Sequence, residues 1–222
     1  LPQTGRSTLR FYDWSATTIS LGCFQKSWPD DWRRLTWQAK PLELVKRPTG
    51  GRAVLHQDSL TYSLVMPKGK RKRQDLYPCI CQFLIQAWQR LGVELTFGGA
   101  GRGYIHNPSC FNTATAADLV ATTGDKLIGS AQRQTPTGLL QHGSMVWDGD
   151  RRLFEQVFQQ PAPWQNTLGE LTGHLPLSQI WQTLETSAAD HFQCDLIPEP
   201  LTDQEWTAIA AYMQEFEIGN KS

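Results

Sequence analysis

Apolar positions along this chain switch between two periods, and the switch points divide it into elements. Alternation predicts short strands over 9–12 and 18–21. The stretch from Gln25 to Lys40 is rich in tryptophan and charge, and Asp30, Asp31, Arg33 and Arg34 mark a solvated helix or loop. Alternation returns over 42–45, 53–55 and 60–66, with a turn at Pro48-Thr49-Gly50-Gly51. From Gln74 to Leu91 the period lengthens. Leu76, Ile80, Phe83, Leu84, Ala87, Trp88 and Leu91 share one face, which predicts an amphipathic helix closed by Gly92 as its C-cap. A further strand is predicted over 93–97. Segments 118–121, 126–134 and 138–147 read as a β-meander, turned at Thr123-Gly124-Asp125 and Pro136-Thr137-Gly138. The last third is helical. Ser178 is placed to cap a helix carrying Ile180, Trp181 and Leu184, and Thr202 with Glu205 forms a capping box ahead of Trp206, Ile209, Ala210, Met213 and Phe216. The expectation is an α/β fold, one domain over 1–222, with a strand-rich centre, helical flanks and a helical C-terminal portion at about 175–218.

Composition narrows the function classes. The 21 Lys and Arg residues balance 21 Asp and Glu residues, so no net field draws nucleic acid or a membrane surface. No apolar run reaches the ~18 residues of a membrane span, and no secretory signal is legible. Five scattered cysteines, an odd number, fit a reducing cytoplasm. Cys79 and Cys81 sit within the predicted long helix, where ~100° per residue sets them ~160° apart. They cannot share one ion, and no metal site is expected. The basic run at 68–73 reads as a solvated loop.

Three patterns carry possible chemistry. Cys110 lies upstream of Lys126 with a turn between them, so the chain can fold back and set a cation beside a thiol, which favours the thiolate. On spacing alone an inert packing cysteine is the better reading. Gly99-Ala100-Gly101-Arg102-Gly103 follows a strand, but Tyr104 to Pro108 is no helix start, which excludes a dinucleotide fingerprint. In Arg47-Pro48-Thr49-Gly50-Gly51-Arg52-Ala53-Val54-Leu55-His56, paired glycines permit close backbone approach and the arginines supply forked donors. Either this block faces a ligand, or its glycines serve a turn and His56 is structural.

The segment from Arg47 to Ser63 resembles the signature of the biotin/lipoate protein ligase superfamily. The strands Leu9 to Trp14 and Ile19 to Gly22 are similar to its first strands. Lys126-Leu127-Ile128-Gly129-Ser130-Ala131-Gln132-Arg133 and Leu140-Gln141-His142-Gly143-Ser144 resemble its later blocks, in the same order. Pro108-Ser109-Cys110-Phe111 followed by Ala117-Asp118-Leu119-Val120 is similar to LipM-type octanoyltransferases. Two features depart from the pattern: only Leu1 to Ser7 precede the first strand, where the family has a helix, and Phe111 to Thr115 differs from the usual residues after the cysteine.

The resemblance implies a mixed, mostly antiparallel central sheet flanked by helices, with a smaller sheet. It implies a cytoplasmic acyltransferase in which Cys110 carries an octanoyl group as a thioester and Lys126 polarises the acyl carbonyl. Arg47, Gly50, Gly51, Arg52, Ala53, His56, Gly129, Ser130, Ala131, Gln132, His142 and Gly143 would surround the acyl substrate. Gly50, Gly51 and Gly129 to Ala131 would wall a tunnel, and His56 and His142 would orient or support. The implied partners are octanoyl-acyl carrier protein as donor and, as acceptor, a lipoyl-domain protein such as glycine-cleavage H protein or a 2-oxoacid dehydrogenase acyltransferase subunit. The basic run at 68–73 is a possible dock for the acidic carrier. No cofactor is expected. An ATP-dependent lipoate ligase, which would need ATP and Mg, an amidotransferase between lipoyl domains, and a non-catalytic carrier-binding protein are the competing readings.

Overall fold

A computed structural model describes residues 5–67, 69, 73–99, 118–216 and 218. Cys110, the Gly-rich loop from 100 onward and most of the basic run lie outside the described residues, so the expectations placed on them carry no structural account.

The strands β1 (Thr8–Tyr12), β2 (Thr18–Leu21), β3 (Thr36–Trp37), β4 (Lys40–Pro41), β5 (Glu43–Lys46), β6 (Val54–His56) and β7 (Ser59–Pro67) precede the long helix α1 (Arg73–Arg90). Then come β8 (Leu95–Phe97), β9 (Asp118–Ala121), β10 (Lys126–Gln134) and β11 (Gly138–Val146). Helices α2 (Arg151–Phe158), α3 (Leu168–Leu171), α4 (Leu177–Phe192) and α5 (Asp203–Phe216) complete the order. Six strands form one sheet in the order β1-β7-β11-β10-β9-β8, with every neighbouring pair antiparallel. The mixed pairing sits in the small sheet, where β2 runs parallel to β5 and antiparallel to β6. The architecture is α/β as expected.

Helix α1 buries the predicted stripe of Ile80, Phe83, Leu84, Ala87 and Trp88. It ends as a Schellman motif: Gly92 has φ +84°, its N–H reaches Gln89 O, and Val93 N–H reaches Trp88 O. Against it lies α4, with Phe83 and Phe192 rings 5.7 Å apart. The main core is thus held between these helices and one face of the large sheet. Among the described residues no helix is long and apolar enough to cross a membrane.

One local expectation is corrected, one is borne out, and one element is new. Helix α4 takes Pro176 as its N-cap, without a side-chain cap bond, and Ser178 falls inside it. The charged stretch after Gln25 holds a short 3-10 turn, Asp30–Arg34, anchored by Trp32, which is buried and donates its indole N–H to Val157 O at 2.8 Å. Helix α2 was not anticipated, although Asp150 caps it through Leu153 N–H and Leu153, Phe154, Val157 and Phe158 form its buried face.

Candidate functional site

The two faces of the large sheet differ in character. Directly opposed residues in a ladder point to the same side, and successive residues alternate. Gly143 is opposed by Ser130 and by Tyr62, and Tyr62 meets Phe83 of α1 edge-on, with centroids 5.9 Å apart. Ile128, Ser130, Gln132, Gln141, Gly143 and Met145 therefore face α1. Gly129, Ala131, His142 and Ser63 face away from it and are half-buried. They make the floor of an open cleft. The small-sheet layer stands over this floor: Trp14 Nε1 donates to Thr61 Oγ1 at 2.9 Å, and Thr49 Oγ1 lies 2.6 Å from His142 Nε2.

Lys126 reaches the cleft face through an irregularity. In β9, Asp118 opposes Gly129 and Val120 opposes Lys126. Asp118 and Val120 are two apart, so they share a face, and Gly129 and Lys126 share it with them. Yet Lys126 and Gly129 are three apart in β10, a spacing that regular alternation would split between faces. The register shifts between Lys126 and Ile128, a bulge at Leu127 that carries Lys126 round to the cleft side. There its Nζ lies 3.0 Å from Asp118 Oδ2, with both side chains buried.

The Arg47 loop forms one rim. Arg47 donates to the carbonyls of Ser20 (2.7 Å), Gly50 (2.9 Å) and Arg52 (2.6 Å), tying β2 to the turn after β5. Cys23 N–H donates to Thr49 O. Gly22 is required by close approach, since a Cβ there would overlap the Gly51 carbonyl, and Gly51 itself has φ +94°. Ala53 is fully buried beneath the loop's end. His56 Nε2 lies 2.8 Å from Ser20 Oγ, its Nδ1 faces Ser59 Oγ at 3.4 Å, and its ring stacks on Trp14 at 3.8 Å. Burial, followed by the charge of Arg47 and by His142, holds His56 well below the ordinary imidazole value. Burial and Arg47 push His142 down to about 4. Both rings are therefore neutral near pH 7, and the cleft presents fixed cations beside uncharged imidazoles.

The structure thus sets Arg47, Gly50, Gly51, Arg52, His56, His142, Gly129, Ala131 and Lys126 on the side of the large sheet turned away from α1. It sets Ser130, Gln132 and Gly143 on the opposite face. There Gln132 Nε2 donates to Gln141 Oε1 (2.6 Å), Gln141 Nε2 donates to Tyr62 Oη (2.8 Å) and contacts Cys81 Sγ (3.3 Å), and Tyr62 Oη lies 2.8 Å from Ser130 Oγ. This network locks β7, β10 and β11 together from behind the floor. Burial pushes the Cys81 thiol up to about 11, so Cys81 is an inert thiol on the wrong side of the sheet. Thr49, Ser20, Trp14 and Asp118 were missed as site residues, although each lies inside a segment that carries the family resemblance. At the Ser144 end, Leu55, Ser59, Ser144, Val146, Phe154 and Trp164 line a narrow crevice. Among the described residues no group of three or more His, Cys, Asp or Glu side chains is placed to hold a metal ion.

Comparison with known proteins follows the same lines. Residues 21–150 match the biotin/lipoate A/B protein ligase family. Octanoyltransferase LipM of Oceanobacillus iheyensis is 30% identical over 91% of this chain and 80% of its own length. The LipM of Halalkalibacterium halodurans is 33% identical over 70% of this chain, and the match spans 59% of that relative's length. In fold, the chain is similar to the crystal structure of lipoate-protein ligase A bound with ATP, with a TM-score of 0.77 and 16% identity over 96% of this chain and 83% of that one.

Proposed function

Because the chain belongs to the biotin/lipoate A/B protein ligase family, we propose that it is an octanoyltransferase of protein lipoylation. It would move an octanoyl group from acyl carrier protein, through a thioester on Cys110, to a lysine of a lipoyl-domain protein. The observation that carries this reading is Lys126, a buried cation delivered by a bulge to the floor of a half-open cleft. The relatives named octanoyltransferase support it from the side of sequence.

In the first step the Cys110 thiolate adds to the thioester carbonyl carbon, and the carrier's thiolate departs and takes up a proton. In the second, the neutral ε-amine of the acceptor lysine adds to the Cys110 thioester. The amide forms, the Cys110 sulfur leaves as thiolate, and the amine's proton passes to a base. Both carbonyl additions build negative charge on oxygen, which a fixed cation stabilises. Lys126 supplies that charge. The neutral state of His56 and His142 lets them orient groups without repelling it. A thioester is already activated, so neither ATP nor another cofactor enters. The octyl chain would lie along the apolar floor at Gly129 and Ala131, at ~0.8 kcal/mol per methylene buried.

The test is incubation of the full chain with octanoyl-carrier protein in the absence of ATP. An adduct of octanoyl mass on the Cys110 peptide, absent in Cys110→Ala, is the expected result. Cys23 is the informative control, because its backbone is tied to the cleft rim at Thr49. An adduct on Cys23 instead, or transfer that persists in Cys110→Ala, rejects the nucleophile assignment. Strict dependence on ATP would assign the chain to the ligase branch.

A further inference from the structure

A lysine side chain is a point charge on a flexible four-carbon stem. In Lys126 that stem ends against a partner on the neighbouring strand. Asp118 Oδ2 lies 3.0 Å from Lys126 Nζ, and the two side chains are only 6% and 4% exposed. Sealing an ion pair from water is a poor way to stabilise a sheet, because desolvation offsets much of the attraction and apolar residues of similar size do as well. A reason other than stability is needed. The geometry offers one. Asp118 opposes Gly129 in the ladder, and its own carbonyl accepts Gly98 N–H at 2.9 Å. The carboxylate therefore projects from backbone held on both sides, onto the face to which the Leu127 bulge turns Lys126.

We infer that Asp118 is the positioning residue of this site: it holds the Lys126 ammonium beside Gly129, so that the charge is already in place when an acyl carbonyl arrives. What that ammonium then does rests on the transferase reading above. In this role Asp118 acts through Lys126.

The full chain is assayed for octanoyl transfer from octanoyl-carrier protein to a lipoyl domain. Wild type is compared with Asp118→Asn, Asp118→Glu, Lys126→Met and the double variant Asp118→Asn/Lys126→Met, each with its melting temperature. Asp118→Asn is expected to lose kcat by about 100-fold, the scale of a catalytic group displaced by an ångström, with KM little changed. Asp118→Glu recovers part of the loss. In the Lys126→Met background the Asn substitution costs no further activity, because the two residues act as a unit. An equal loss in both backgrounds, or full turnover in Asp118→Asn, overturns the inference. Labelling of Lys126 by trinitrobenzenesulfonate, mapped by peptide mass spectrometry, reads the tether without turnover. Faster labelling in Asp118→Asn than in wild type supports it, and equal labelling overturns it. A wild type that transfers nothing while this labelling difference persists refutes the transferase reading and leaves the tether intact.

Discussion

Acid should weaken this fold through His142, and the size of the effect can be worked out. In the folded chain burial and the neighbouring Arg47 hold the ring at about 4, against 6.5 for an ordinary histidine. The unfolded chain therefore binds a proton at a higher pH than the folded one. Stability from this group is complete above pH 6.5 and drains away as pH falls toward about 4, below which no more is lost. The gap corresponds to about 3 kcal/mol as an upper bound. His142 is half-buried rather than sealed, and water reaching part of the ring lowers the realised figure toward about 2 kcal/mol. The perturbation is His142→Gln, which removes the titration and keeps an amide facing Thr49. Urea unfolding of both proteins at several values between pH 7 and pH 4 gives the difference directly. His56 remains in both, and removing His142 takes away only the smallest of the three causes that hold it down, so its own acid sensitivity largely cancels. The wild type should lose about 2 kcal/mol more than the variant across that range. Parallel stability–pH curves for the two proteins would refute the argument.

Three further outcomes follow from the same coordinates. Arg47→Lys cannot reach the carbonyls of Ser20, Gly50 and Arg52 together; with about 1.5–3 kcal/mol for each charge-assisted bond lost, a fall of at least ~2 kcal/mol in unfolding free energy and early proteolysis near residues 47–52 are expected. Gly143→Ala puts a methyl 2.5 Å from Ser130 Oγ and 2.6 Å from the Tyr62 ring, so overpacking of about 1–3 kcal/mol should appear in calorimetry, and Gly143→Ser should be no better tolerated. Trp32→Phe deprives the buried Val157 carbonyl of its indole donor, at about 1–3 kcal/mol, visible as a lower urea midpoint with unchanged slope.

Much of this architecture was legible before any coordinates. Strands β9, β10 and β11 are separated by turns that contain glycine, and α1 shows both a helical stripe and a terminal glycine. The Arg47 block was legible as a loop with unusual backbone demands, and Arg47 does organise it. Period-two alternation already implies the split within Gly129-Ser130-Ala131-Gln132, since adjacent strand residues serve opposite faces; the resemblance matched the block as a whole and set all four around the substrate. What period-two reading could not see was Lys126 arriving on the cleft side, since its spacing from Gly129 predicts the reverse. Helix α2 was legible but passed over: Leu153, Phe154, Val157 and Phe158 recur on one face opposite Arg151, Arg152, Glu155 and Gln156, and Asp150 supplies the cap, but the run is only eight residues long. Asp118 lay inside the Ala117 to Val120 segment of the resemblance, but nothing there marked it as the partner of Lys126; the two are eight residues apart, and only pairing register brings them together.

The bulge at Leu127 also bears on how this site could be moved. A hairpin of β9 and β10 grafted into another antiparallel sheet would carry Lys126 to the intended side only if Leu127 travelled with it. Trimmed to regular alternation, the same hairpin would keep every polar residue and aim Lys126 into the host's core.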